Sequence, residues 1–118
     1  MKKLILCLLV ITLFGCDDIT EVEDISNQNM TILAPADLSV LTITDVNFSW
    51  NSIEDAEQYK LQISTPDFES ANQIVLDTTI TNTNFTQTLE LGNYQWRIRA
   101  ENSGFQTNYT TQSFSIEE

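Results

Sequence analysis

Apolar and polar positions follow three different rules along this chain. Leu4 to Phe14 is an unbroken apolar run, softened only by Cys7 and Thr12, preceded by Lys2 and Lys3 and closed by Gly15-Cys16. Eleven residues are too few for a spanning helix, which needs about 20. A positive start, a short apolar stretch and a small-residue ending read instead as a cleavable secretory signal over residues 1–15. Cys7 lies inside it as apolar filler. Residues 16–29 then turn abruptly acidic, with five carboxylates among Asp17–Asp24 and no pattern able to bury a face. That stretch predicts a solvated tether, extended by its own repulsion.

From Met30 the rule becomes alternation. Val46, Phe48 and Trp50 alternate with Asn47 and Ser49; Tyr59, Leu61 and Ile63 alternate with Lys60, Gln62 and Ser64. Tyr94, Trp96, Ile98 and Ala100 alternate with Gln95, Arg97, Arg99 and Glu101. A period of two marks half-buried strands. Met30–Leu33, ended by Ala34-Pro35, supplies a first strand; Ile74–Leu76, Asn84–Leu89 and Tyr109–Ile116 supply three more. Seven short strands with polar turns between them predict an all-β chain over residues 30–118, a seven-stranded antiparallel β-sandwich. Glu54–Gln58 is the one stretch compatible with a helical turn.

Parity settles the tryptophans. Trp50 shares a face with Val46 and Phe48, and Trp96 one with Tyr94 and Ile98, so both are expected in the core rather than as exposed platforms for sugars. Phe105 and Tyr109 lie in or beside loops, and Phe68, also near a turn, is expected to fold back onto the core.

Charge and cysteine usage narrow the chemistry. Of 118 residues, removal of the signal leaves 103, enough for one domain. All seventeen acids remain but only three cations do, so the net charge falls from −12 to −14. Such a surface repels nucleic acid. Histidine is absent from the chain and Cys16 is the one cysteine beyond the signal. That removes the commonest general base, any internal disulfide and cysteine-based metal sites. Glu54, Asp55 and Glu57 share one short loop, without the burial or the opposed geometry that paired catalytic carboxylates need. No Asp-x-Asp-x-Asp-Gly spacing suggests calcium. No enzyme, metal site or cofactor is expected.

Leu13-Phe14-Gly15-Cys16 resembles the lipobox of bacterial lipoproteins. The resemblance implies a diacylglycerol on the Cys16 thiol, cleavage after Gly15, and a fatty-acylated mature N-terminus. Phe14 is bulkier than that motif usually carries, which leaves a plain signal cut at another bond as the alternative. Asp17 and Asp18, directly after Cys16, are similar to the surface-export signals of Bacteroidota lipoproteins, implying an outer-membrane protein displayed at the cell surface; a periplasm-facing position is the other possibility.

The chain Phe48-Ser49-Trp50, then Ala56 to Ile63, then Gly92-Asn93-Tyr94-Gln95-Trp96-Arg97-Ile98 resembles a fibronectin type III domain, an immunoglobulin-like sandwich, over about residues 30–116. The resemblance implies that Trp50 fills the core and that Tyr94 makes a corner hydrogen bond; alternation adds Tyr59 and Trp96 to the core. The leucine six residues before the corner tyrosine is shifted here to Leu89 and Leu91, implying a tighter corner. The resemblance is specific for the fold and almost silent on function; without visible catalytic apparatus, a binding module is expected. The expected role is therefore a membrane-anchored, non-catalytic protein-interaction or adhesion module accessory to an outer-membrane assembly. The alternatives are glycan binding within a polysaccharide-capture system and, last, a mere spacer.

Two candidate contact regions follow. Ile53 and Phe105 sit on loops that this fold gathers at one end, where recognition concentrates. Lys60, Arg97 and Arg99, the three mature cations, fall at outward positions of neighbouring strands and would form one basic patch for an acidic protein or anionic glycan. The competing view of the patch is local offset of Glu57 and Glu101. Asp77-Thr78-Thr79 also resembles a Bacteroidota O-glycosylation acceptor, placing a sugar on Thr78.

Overall fold

The computed structural model of the chain describes residues 21–70 and 73–118, and Cys16 and the signal segment lie outside them. Eight strands follow in order: β1 Ile32–Ala34, β2 Ser39–Leu41, β3 Asp45–Trp50, β4 Gln58–Thr65, β5 Gln73–Ile80, β6 Asn84–Thr88, β7 Gly92–Glu101 and β8 Thr110–Ile116. Two sheets, β1-β3-β6 and β2-β8-β7-β4-β5, face each other as a sandwich. The described residues contain no helix. Glu54–Gln58 forms no helical turn: Ala56 N–H closes a plain turn on the Ile53 carbonyl at 3.1 Å, and Asp55 adopts φ +71°.

Strand count and direction depart from the seven-stranded antiparallel expectation, and Pro35 explains how. Proline offers no N–H and disfavours continuation of the ladder, so the first strand stops at Ala34. The chain then changes sheets. Leu38 N–H donates to the Ser113 carbonyl (2.6 Å), the Asp37 carboxylate accepts Ser113 N–H (2.8 Å), and β2 continues parallel to β8.

Alternation places the core as parity requires. Val46, Phe48 and Trp50 of one sheet meet Tyr59, Leu61, Ile63, Trp96, Ile98 and Phe114 of the other, all buried. Phe48 is the hinge of this contact. Its ring sits edge-on to Trp96 (4.8 Å between centroids) and to Phe114 (5.8 Å), while Trp50 packs edge-on against Tyr59 (5.8 Å). Edge-to-face pairs of this kind add about 0.5–1.5 kcal/mol beyond burial.

The acidic stretch is not a free tether where the structure describes it. Ile25 and Met30 are buried at 2% and 6% exposure within the main cluster. Ser26 donates from its N–H and its hydroxyl to the Asp24 carboxylate, and Gln28 N–H closes a turn on the Ile25 carbonyl.

At the other end of the sandwich, Tyr94 Oη donates to the Glu90 carbonyl at 2.8 Å. Leu89 is buried and Leu91 exposed, so the shifted leucine is used from the nearer position. Burial pushes the Tyr94 phenol above its ordinary range. Gly92 (φ +152°) lets the chain enter β7 beside that ring, 3.8 Å from where a Cβ would stand.

Candidate functional site

The loops after β3 and β7 gather at the strap end, and Asn102 ties them together. Its side-chain NH2 donates to the Glu23 carbonyl (2.9 Å) of the strap and to the Asp55 carbonyl (3.2 Å). Its Oδ1 accepts the N–H groups of Gly104 (3.0 Å) and Phe105 (2.8 Å). The turn is stiffened behind by Thr107, buried at 2%, whose hydroxyl accepts Ala100 N–H and donates to the Asn108 carbonyl. An asparagine can satisfy several backbone groups at once because it carries both donor and acceptor.

This arrangement separates the two contact candidates. Ile53 packs against the core, and its N–H donates to Tyr59 Oη (3.1 Å), so it seals the end of the sandwich rather than projecting from it. Phe105 is exposed at 38%, and Val22 of the strap, 40% exposed, lies against Gly104 beside it. Ile53 and Phe105 therefore do not form one exposed pair; the exposed apolar side chain nearest the Phe105 turn is Val22.

On the outer face of the five-stranded sheet, register brings the three cations together. Lys60 is directly opposite Arg99, and Gln62 opposite Arg97. Yet none offers a free charge. Lys60 Nζ lies 3.0 Å from the Asp77 carboxylate on β5, and Arg99 Nε donates to Glu101 at 2.8 Å. Arg97 Nε donates to Gln62 Oε1 (2.7 Å), and its guanidinium lies between the rings of Phe68 (4.1 Å) and Tyr109 (4.4 Å). Arg99 approaches the same Tyr109 ring at 4.6 Å. An open basic patch is thus corrected to a closed ladder in which acids and aromatic faces occupy every cation. Each such cation–π contact contributes about 0.5–1 kcal/mol at exposed sites, so reversing these arginines would strip stability along with charge.

Phe68 was expected on the core; it instead caps Arg97 from outside, held by its N–H donating to Gln95 Oε1 (2.9 Å). Nothing in spacing along the chain announces that fold-back. Asp77 was missed for a different reason: it meets Lys60 only once the β4–β5 register is known. Thr78 stands opposite buried Leu61, half-buried on the core-facing side of β5, while Thr79 faces water. That placement does not present Thr78 as an open acceptor. Both tryptophans are buried to 1% or less, which leaves the glycan reading without an indole platform. Among the described residues, no three His, Cys, Asp or Glu side chains gather as a metal would require.

Electrostatics on the ladder have a readable sign. Burial alone would push the Glu101 carboxyl up, but hydrogen bonds from Gln58 (2.9 Å) and Arg99 outweigh it and hold it below its ordinary value near 4.5. The Lys60 ammonium likewise holds Asp77 below its ordinary value near 3.8. Groups lowered in this way stabilise the fold above their unfolded values, and the contribution is lost as pH falls through the folded ones. Thermal stability is therefore expected to drop below about pH 4.5, and Glu101→Gln should make that acid limb shallower. Melting curves at stepped pH would check this; parallel acid limbs would refute it.

Comparison with known proteins supports the architecture and stops there. No family model and no curated protein matches the chain. Among solved structures, the fibronectin(III)-like modules of Clostridium thermocellum CbhA superpose with a TM-score of 0.55 at 6% identity, over 75% of this chain and 96% of that one. A fibronectin type III domain from the human KIAA0970 protein gives 0.54 at 15%, over 75% and 72%. An Fn3-like protein from Clostridium thermocellum gives 0.50 at 20%, over 76% and 90%. The chain has the fibronectin type III-like fold, an immunoglobulin-like sandwich. A fold of this kind hosts many functions, which reside in the sites added to it.

Proposed function

We propose that this chain is a lipid-anchored, non-catalytic interaction module of the bacterial outer membrane, displayed at the cell surface as an accessory to a larger assembly. The observation that carries the reading is the Gly15-Cys16 ending of a short apolar run, set six residues before a strap fastened to a fibronectin type III-like sandwich. A thioether-linked diacylglycerol at Cys16 supplies the membrane affinity that an acidic surface cannot. Each buried methylene contributes about 0.8 kcal/mol, so two chains anchor where one holds only marginally.

Buried Thr107 supports a turn, and the three described cations are engaged within the outer ladder. Surface loops and edges remain for contact with another molecule.

Substituting Cys16→Ser tests the anchor. The wild-type chain is expected to incorporate radiolabelled palmitate and sediment with outer membranes. The variant is expected to lose the label and leave that fraction. Retention of the variant in the membrane, or an unlabelled wild-type chain, would refute the proposal.

A further inference from the structure

We infer that the docking surface lies at the pole opposite the strap, and that its partner is a protein presenting apolar side chains flanked by lysine or arginine. The orientation part of this inference rests on the anchored reading above; the surface itself does not.

Large apolar side chains are unevenly exposed. Of eight among the described residues, five lie in the half of the sandwich away from the strap: Leu38, Val40, Ile43, Ile74 and Leu91, each at least 50% exposed. Two grooves open there, of about 410 and 380 Å3, on either side of Tyr94. Leu38, Pro66, Gln95 and Ser113 are among the residues that line the first. Val75 and Leu91 line the second.

Leu38 is the sharpest pointer. It is 77% exposed and adopts φ +65°. A left-handed backbone suits glycine or asparagine and costs a leucine roughly 1–2 kcal/mol. Neither packing nor conformation therefore favours leucine at this position. Strain kept without a packing reason is a mark of functional surface.

Charge selects the occupant. Asp37, Asp67, Glu90 and Glu117 fringe this half, and the three described cations are committed to the ladder. A second copy would set acids against acids across an isologous contact. A basic rim around apolar anchors complements the pole instead. Strand geometry supplies the presentation. The ten residues of β7 span roughly 33 Å at about 3.3 Å each, so a chain held at its strap end carries this pole outward.

Photo-activatable residues placed singly at Leu38 and Leu91, with Thr86 and Phe105 as controls, test the inference in the full chain within its native envelope. The expected result is one discrete heterologous adduct from Leu38 and Leu91, weak or absent from both controls. Its yield should fall several-fold at about 0.5 M salt, where charges are screened beyond roughly 4 Å. The trapped partner, purified, should bind Leu38→Asn about tenfold more weakly, while the thermal midpoint of that variant stays level or rises. An adduct of twice the chain's own mass, a salt-insensitive adduct, equal adducts from Phe105, or none from the pole would overturn the inference. Fractionating the same cells keeps the two readings apart. Wild-type chain in the soluble fraction sinks the anchor, whereas membrane-bound chain without a pole adduct sinks the docking surface alone.

Discussion

Trp96→Ala is expected to remove about 3–5 kcal/mol of folding free energy, a large share of the roughly 5–15 kcal/mol that a domain of this size usually possesses. Trp96 is fully buried at the centre of β7, with Phe48 edge-on to it from the opposite sheet and Trp50 at 6.3 Å. Alanine would open a cavity that neither sheet can close, since strands fixed by ladder hydrogen bonds do not collapse inward by a ring's thickness. The indole carries one liability, because its Nε1–H has no partner. Trp96→Phe deletes that donor and keeps most of the apolar contact, so a loss of only about 1–2 kcal/mol is expected. Urea denaturation of both variants checks the ordering. A phenylalanine variant as unstable as the alanine one would mean that Nε1–H makes a bond after all.

The sandwich was legible because its long strands obey parity without interruption. Val46-Phe48-Trp50 and Tyr94-Trp96-Ile98-Ala100 each show one buried and one solvated face, and a slip of one residue would invert both. β2 was hidden by the same logic. Its central residue, Val40, points an apolar side chain at water, and its hydrogen bonds go to β8 in parallel, so composition and alternation both misreport it. The cation row was visible, since Lys60, Arg97 and Arg99 are all outward. What engages it was not. Asp77 arrives through a register shared between β4 and β5, and Phe68 through a loop that doubles back over the sheet. Pairings across strands are decided by three-dimensional register, and a single sequence carries that information only indirectly. The distal pole shows the converse. Leu38 and Leu91 are ordinary in sequence, and they become informative only once their exposure and backbone are known.

Ile25 is where sequence and structure disagree most usefully, and Ile25→Ala is expected to cost about 2–4 kcal/mol. A lone isoleucine among Glu21, Glu23 and Asp24 reads as solvated because no neighbour shares its face. In the structure its side chain is 2% exposed, and Asn102 holds the adjacent Glu23 carbonyl. Truncation should therefore release the strap locally before the sandwich melts. Amide exchange is expected to quicken at Gln28, whose N–H closes the turn on Ile25, and around Asn102–Phe105, whose turn shares Asn102 with the strap. Stability within about 0.5 kcal/mol of wild type, the usual range for a surface substitution, would refute the docking of this segment. The consequence reaches past stability. For a chain anchored at Cys16, as proposed, six residues to Val22 allow a reach of roughly 20 Å, whereas release as far as Met30 gives fourteen residues and roughly 50 Å. One buried side chain thus separates a domain held upright near its anchor from one that swings freely. The Ile25 variant should accordingly lose any partner contact that depends on presenting the far pole outward, even at temperatures where its sandwich remains folded.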